Sequence, residues 1–587
     1  MTAGVVCGCR PARPSCDAAR VSEFDCDVAV IGSGFGGAVS ALRLAEKGYS
    51  VRVLEAGRRL SPADLHRARK STRDYLWQPE LGLRGFFWQR VFKDVAIIGA
   101  SAVGGGSIVW GAVLLEPGEA FYDDPSWARL ADWRAELAAP FARASHMLGR
   151  VRNQHLGAQD EHLHAAAVAM GAGETFAPVP LAVHFGEGPG RHSADPFFGG
   201  EGPERTGCRL CGGCLVGCPY GSKNSLDLNY LHLAEGRGAQ ILERHRVDAI
   251  TPLPDGGYEL RASDPLARGA AHPPIRAERV VLAAGVLGTL ELLFRCRDEL
   301  GTLPRVSPRL GEHVRTNSEA VTGVLNDDPR FDGLHGPSIS SDFHPDARTH
   351  VTQNRFRGGG RFLRLQVGPL VDGTHPGRRA RATLAAILRS PREHLRILTA
   401  RNFDERYTAL TVMQHVDNEL RLRFGRSPLR PWKRVLRSQV AGGAPPPSYL
   451  PVANEVARAY AEASGGTPLN LLPESLGGKS VTAHVLGGAV IGEDARSGVV
   501  DASHEVHGHP GLYVADASAI GANLGVNPSL TIAALAERMA ALWPQKPGTT
   551  APDRLLGQNE GAAFEDPSAQ RYEAGTPAIR AAGGSTV

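Results

Sequence analysis

The chain has 587 residues, room for two or more domain-sized bodies, and its 42% hydrophobic and 21% charged content is that of a globular protein. A net charge of +4, from 65 basic and 61 acidic residues, gives no argument for nucleic acid, and no apolar stretch reaches the length of a membrane span. The nine cysteines are clustered, four in the first 26 residues, four between 208 and 218, and Cys296 alone; this is not the pattern of a secreted disulfide framework, so a cytoplasmic location is the default expectation.

Residues 1–23 lack the sustained apolar core of a secretory signal and read as a disordered leader. Asp27 to Gly57 then forms one βαβ unit. An apolar run, Val28 to Ile31, predicts a buried strand; Gly32, Gly34 and Gly37 carry G-x-G-x-x-G spacing; a helix follows; and Val51 to Leu54 predicts a second strand that delivers Glu55. Gly32 permits the tight turn, Gly34 lets a pyrophosphate approach the main chain, and Gly37 lets helix and strand pack closely. Glu55 suits a ribose 2′-OH and disfavours a 2′-phosphate. The unit alone does not separate FAD from NAD.

Residues 71–92 are rich in aromatics without a clean period, and read as a packed cover over the core in preference to a substrate lid. Gly104, Gly105 and Gly106, followed by Ser107 as a hydroxyl donor, form a second glycine turn suited to close approach of a ligand. Residues 121–205 read as a helical insertion. Cys208, Cys211, Cys214 and Cys218 have C-x2-C-x2-C-x3-C spacing with Pro219 after them, which is the bacterial ferredoxin run. Three readings stand: an iron–sulfur cluster, a zinc site, or a thiol-rich loop with free cysteines or a disulfide. The isolation of the run favours the third.

Further on, Gln240 to Ile250 predicts a strand that turns and continues, Gly256-Gly257 a hairpin turn, and Arg279 to Gly288 a strand with a small-residue turn. Residues 320–475 lose the glycine motifs. There Leu410 to Met413 and Glu419 to Phe424 predict strands joined as a hairpin through Asp417-Asn418, part of an antiparallel substrate-facing sheet. His484 precedes a glycine pair, Gly511 to Asp516 predicts a strand ending in a carboxylate, and Asn527 with Pro528 predicts a helix N-cap and first position. From Lys546 the composition is that of a disordered tail.

Together these segments resemble the glucose–methanol–choline (GMC) oxidoreductase family, in its bacterial cholesterol oxidase-like branch, across roughly residues 24–545. The resemblance implies an α/β protein with a discontinuous Rossmann-like FAD-binding domain (24–120, 206–319, 476–545). The substrate domain (121–205, 320–475) would be α+β with a mainly antiparallel sheet. The resemblance also implies FAD, expected to be noncovalent from the 27–57 unit, the second glycine turn and the C-terminal helix start, and oxidation of a bulky apolar alcohol, a 3β-hydroxysteroid above all, by hydride transfer to the flavin. Oxygen or another acceptor would take the electrons, and transient contact with a membrane surface fits such a substrate. By the resemblance, Gly32, Gly34, Gly37 and Glu55 hold the adenosine diphosphate half, and Gly104 to Ser107 lie beside pyrophosphate and flavin. Val247 meets the adenine, Asp516 and the Asn527-Pro528 helix start meet ribityl and flavin, and His484 with Asn527 is the active-site pair. Glu319 and Glu405 are candidates for an extra, isomerising carboxylate, and Trp110 departs from the small polar residue many steroid oxidases carry there. Two other functions compete: a dehydrogenase passing electrons through an iron–sulfur cluster, and a non-enzymatic electron-transfer module.

Overall fold

The computed structural model describes Met1 and residues 24–550, apart from 359, 428–430 and 443–444. The expected leader beyond Met1, and the tail beyond residue 550, lie outside the described residues. The start of the expected tail is docked: the Lys546 N–H donates to Lys47 O at 3.0 Å and its ammonium meets Asp27 at 2.5 Å.

The predicted βαβ unit is present as β1 (Cys26–Ile31), α1 (Phe35–Glu46) and β2 (Val51–Glu55). β1 is apolar throughout because it is covered on both faces, with Val28, Ala29 and Val30 fully buried. It pairs in parallel with β2 and with Ile275–Leu282; Gln240–Glu243 extends the parallel set beyond β2, and Leu512–Val514 joins beyond Ile275–Leu282. The strand pair Arg246–Pro252 and Tyr258–Asp264, turning at Gly256 and Gly257, completes this sheet in antiparallel fashion. The second sheet has seven antiparallel strands built mainly from residues 320–471, in the order 367–369, 466–471, 320–326, 407–414, 349–354, 341–346 and 177–178. The fold is therefore the expected α/β body with a mainly antiparallel companion.

Three expectations are corrected. The strands Tyr407–Gln414 and Leu420–Arg426 exist but do not form a hairpin: the first pairs within the seven-stranded sheet, and the second pairs only with Arg434–Val440. Asn418 between them bonds instead to the Thr316 backbone and Ser318 Oγ. The insertion 121–205 divides its packing. Its helix Trp133–Met147 lies on the C-terminal helix Ser529–Leu542, while Ala158–Ala169 and the strand at 177–178 lie on the second sheet and the helix Pro451–Ser464. That C-terminal helix starts one residue later than predicted, with Pro528 in the N-cap position and no side-chain cap. The aromatic segment is a packed cover: Tyr75, Phe86 and Phe87 are buried with Leu65, Ile108 and Val216.

The start of α1 is where the chain packs tightest. A Cβ on Gly37 would lie 2.0 Å from Gly32 O, and one on Gly36 only 1.5 Å from Ala515 O, the residue after the Leu512–Val514 strand. Gly32 itself has φ +101°, in the left-handed region that glycine alone tolerates easily. Backbone, not a flexible side chain, opposes the added atom at Gly36, so Gly36→Ala forces α1 off the sheet. At Gly34 an added Cβ would meet nothing within 4 Å. Gly36→Ala is therefore expected to lower the melting temperature of the protein by several degrees and Gly34→Ala to leave it unchanged, as measured by thermal unfolding of the cofactor-free protein. Equal stability of the two variants would contradict this packing.

Candidate active site

Two glycine turns meet at one cradle. α1 opens at Gly34 without a side-chain cap, so its first N–H groups are free for an anion. Gly105 lies against Gly34, where an added Cβ would come 2.8 Å from Gly34 Cα, while Gly34 and Gly106 both face open space. Ser33, which the sequence reading passed over, ties the turns together. Its Oγ–H donates to Glu55 Oε2 at 2.7 Å, its N–H donates to the same oxygen at 3.0 Å, and the Oγ accepts the Gly104 N–H at 3.0 Å. Glu55 Oε1 accepts the Gly57 N–H at 2.8 Å. Burial raises the Glu55 pKa against these hydrogen bonds.

Ser107 differs from its expected role. Its proton goes to Gly104 O at 2.7 Å and its oxygen accepts the Leu226 N–H at 3.0 Å, so the hydroxyl fixes the turn and offers no donor to a ligand. Val247 lies on a strand whose entry is hitched to the end of β2, where the Arg244 and His245 N–H groups donate to Gly57 and Glu55 carbonyls at 2.8 Å. Asp516 is buried, accepting from Ser518 N–H at 2.9 Å and from Thr289 Oγ1 at 2.6 Å. Burial raises its pKa, opposed by those bonds. The Ala515–Asp516 peptide lies against Gly36, which brings this strand end to the mouth of the cradle.

At the far end of the cradle stand His484 and Asn527. Asn527 is not a cap. Its Nδ2 lies 3.3 Å from His484 Nε2, and its Oδ1 is buried without a partner. His484 Nδ1 makes a short hydrogen bond to Glu319 Oε1, and the His484 backbone N–H donates to Thr482 Oγ1 at 2.8 Å. A carboxylate can only accept, so the histidine proton sits on Nδ1 and Nε2 is left as an acceptor. Asn317 Nδ2 holds Val526 O at 2.8 Å and so fixes the loop that presents Asn527. Trp110 packs edge-on against Phe35, ring centroids 5.0 Å apart, with its indole Nε1 buried and unpartnered. Glu319 is thus brought to His484, and Glu405, in the short helix Phe403–Arg406, makes no contact with it among the described residues.

Residues 203–314 and 445–536 match the GMC oxidoreductase family, and residues 30–77 match the NAD(P)-binding Rossmann-like domain. The chain is 42% identical to a cholesterol oxidase of Mycobacterium tuberculosis, over 91% of this chain and 93% of that one. It is 39% identical to a cholesterol oxidase of Acinetobacter baumannii, over 90% and 96%.

The chain belongs to the GMC oxidoreductase family.

It is therefore an FAD-dependent oxidoreductase acting on CH–OH groups, and the electron-transfer module is set aside. Two solved structures share the fold: pyridoxine 4-oxidase from Mesorbium loti, with TM-score 0.57 and 17% identity over 88% of this chain and 99% of that one, and a fungal aryl-alcohol oxidase, with TM-score 0.53 and 15% identity over 88% and 98%. The uncapped start of α1 and the open faces of Gly34 and Gly106 fit a dinucleotide. Among the described residues, no helix is long and apolar enough to cross a membrane.

A second carboxylate lies behind the pair. Glu474 is buried, accepts the Val321 N–H at 3.0 Å, and is pushed up to about 8 by burial, with nearby Glu319 adding to the rise. A raised acid pKa means that its contribution to stability is complete below the ordinary 4.5 and is lost as pH rises through about 8. Glu474→Gln keeps the hydrogen bond and removes the charge. Thermal unfolding across that window is expected to show wild type losing stability relative to Glu474→Gln as pH rises; a pH-independent difference would contradict the assignment.

Proposed function

We propose that this enzyme oxidises the secondary hydroxyl of a bulky apolar alcohol, a 3β-hydroxysteroid above all, to a ketone. The observation that carries the reading is the arrangement of Glu319, His484 and Asn527, and the two cholesterol oxidases similar over nine-tenths of the chain support the sterol. FAD, when bound, supplies the hydride acceptor. An alcohol is a weak acid, so its proton needs a placed base. His484 Nε2 takes that proton, and the Glu319 carboxylate on Nδ1 holds the ring and balances the positive charge that forms. Asn527 Nδ2, which faces Nε2 in the free enzyme, turns its N–H to the alcohol oxygen and stabilises negative charge there. Glu319 is engaged by the histidine, which leaves alcohol oxidation as the chemistry this geometry favours over isomerisation.

Two further observations bear on partners. The helices Pro376–Arg389 and Pro391–Leu398 expose Leu384, Leu388 and Leu395 amid arginines, which supports contact with a lipid surface holding an apolar substrate. Oxygen is the acceptor the similar oxidases point to. One observation favours an alternative acceptor: Lys223 Nζ donates to Ile108 O and Cys214 O, both at 2.8 Å, joining the flavin-side turn to the cysteine loop.

His484→Ala is expected to retain FAD while slowing its reduction by sterol about 10²- to 10⁴-fold, as followed by anaerobic stopped-flow bleaching. Asn527→Ala is expected to slow the same half-reaction. Reduction of His484→Ala at the wild-type rate would overturn the assignment of the base. Failure of cholesterol, but not of simple alcohols, to bleach the wild-type flavin would overturn the substrate class. Peroxide formed in air in proportion to product is the result expected of oxygen as acceptor.

A further inference from the structure

The cysteine run is the one sequence motif that alcohol oxidation leaves without a use. In the folded protein Cys208, Cys211, Cys214 and Cys218 line a single cavity together with Arg69, Arg209, Tyr220 and Lys223. All four are free thiols, which removes the disulfide reading. The loop that carries them winds through left-handed residues, Leu210 at φ +52°, Gly212 at +65° and Gly217 at +90°. A leucine held in that region is strained, and such strain persists only where the surroundings fix it. They do so from three sides. The Gly212 N–H donates to Gly336 O at 2.8 Å, the Cys214 N–H to Ser338 Oγ at 2.8 Å, the Cys208 N–H to His184 O at 2.9 Å, and Arg69 to Gly217 O at 2.9 Å.

Charge points the same way. Lys223 and Arg205 are each 1% exposed. Lys223 donates only to the carbonyls of Ile108, Trp110 and Cys214. Arg205 donates to the carbonyls of Gly221 and Lys223, and its Nη1 is buried without a partner. Neither forms an ion pair within 4.0 Å among the described residues; the buried Asp227 acts on both, and Asp195 on Arg205, only from beyond that range. Buried cations without a close anion are strongly unfavourable. Four thiolates around a metal centre supply the missing negative charge.

Spacing then separates the possible centres. Zinc holds its sulfurs at about 2.3 Å in a tetrahedron, which places them roughly 3.8 Å from one another. No three of these thiols converge within 4.8 Å of one another; among the described residues that convergence is found at Asp342, His344 and His350 instead. A cubane cluster takes its thiolates at the outer corners of a larger tetrahedron; in two-cluster ferredoxins the C-x2-C-x2-C-x3-C-P run gives its first three cysteines to one cluster and the fourth to the other, whereas here one cavity gathers all four. We propose that Cys208, Cys211, Cys214 and Cys218 together ligate a [4Fe–4S] cluster, with Lys223 and Arg205 as its buried counter-charges. Assembly deprotonates the four thiols, and with the cluster in its oxidised form the ligated centre is a dianion. The site adjoins the flavin cradle, because Lys223 bonds the loop to the carbonyls of Ile108 and Trp110 just after the Gly104 to Ser107 turn.

The test is metal and acid-labile sulfide analysis of the full-length wild-type protein purified without oxygen, with zinc and FAD measured on the same sample. About four irons and four sulfides per chain are expected. Cys211→Ser and Cys218→Ser, which alter the two half-exposed ligands, are expected to lose iron and sulfide while retaining FAD. Stoichiometric zinc would overturn the proposal. So would wild-type protein that holds FAD but neither iron nor sulfide, even after anaerobic incubation with ferrous iron and sulfide. FAD content is read separately, so failure of this proposal leaves the alcohol-oxidation reading standing.

Discussion

Everything in this protein depends on backbone meeting backbone at the start of α1. Gly36 lies against the Ala515 carbonyl, Gly37 against the Gly32 carbonyl, Gly32 against Ala283, and Gly105 against Gly34. Four chain segments, the last nearly five hundred residues after the first, converge there with no side chain between them. That contact brings Asp516, and thereby the loop ending in Asn527, to the same cradle as the two glycine turns. Ser33 and Glu55 lock the arrangement with buried hydrogen bonds, whose loss would leave the carboxylate desolvated and unpaired.

The parts of the fold legible in the sequence were those with a local physical signature. The βαβ unit announced itself by a buried strand, spaced glycines and an acid at the end of the next strand. Gly36 carried no signal, since its role is set by Ala515, a contact that only the folded chain creates. The strands around Asp417-Asn418 were individually readable from their alternation, yet their partners lie in different sheets, so proximity in sequence misled. The insertion 121–205 shows the same limit: amphipathic helices declare that they pack, not on which core. His484 and Asn527 were legible only through resemblance to a family. Taken alone, Asn527-Pro528 reads as a helix cap, and the side chain instead turns to the histidine.

The site places the His484 imidazole between a carboxylate and an amide, with Glu474 behind it held toward its protonated form by burial. One charge near His484 is thus well coupled, and a second is suppressed. This is the arrangement a proton acceptor needs: Glu319 fixes which nitrogen carries the proton, and burial disfavours a competing charge on Glu474. In the proposed mechanism Glu319 is a positioning residue that acts through His484.

That claim is tested most directly by a double-mutant cycle on Glu319→Gln and His484→Ala, read as the anaerobic rate of flavin reduction by substrate. If Glu319 acts only through the histidine, the double variant is no slower than His484→Ala alone. A double variant slower by the product of the two single effects would contradict the account, since Glu319 would then act on the reaction independently of His484.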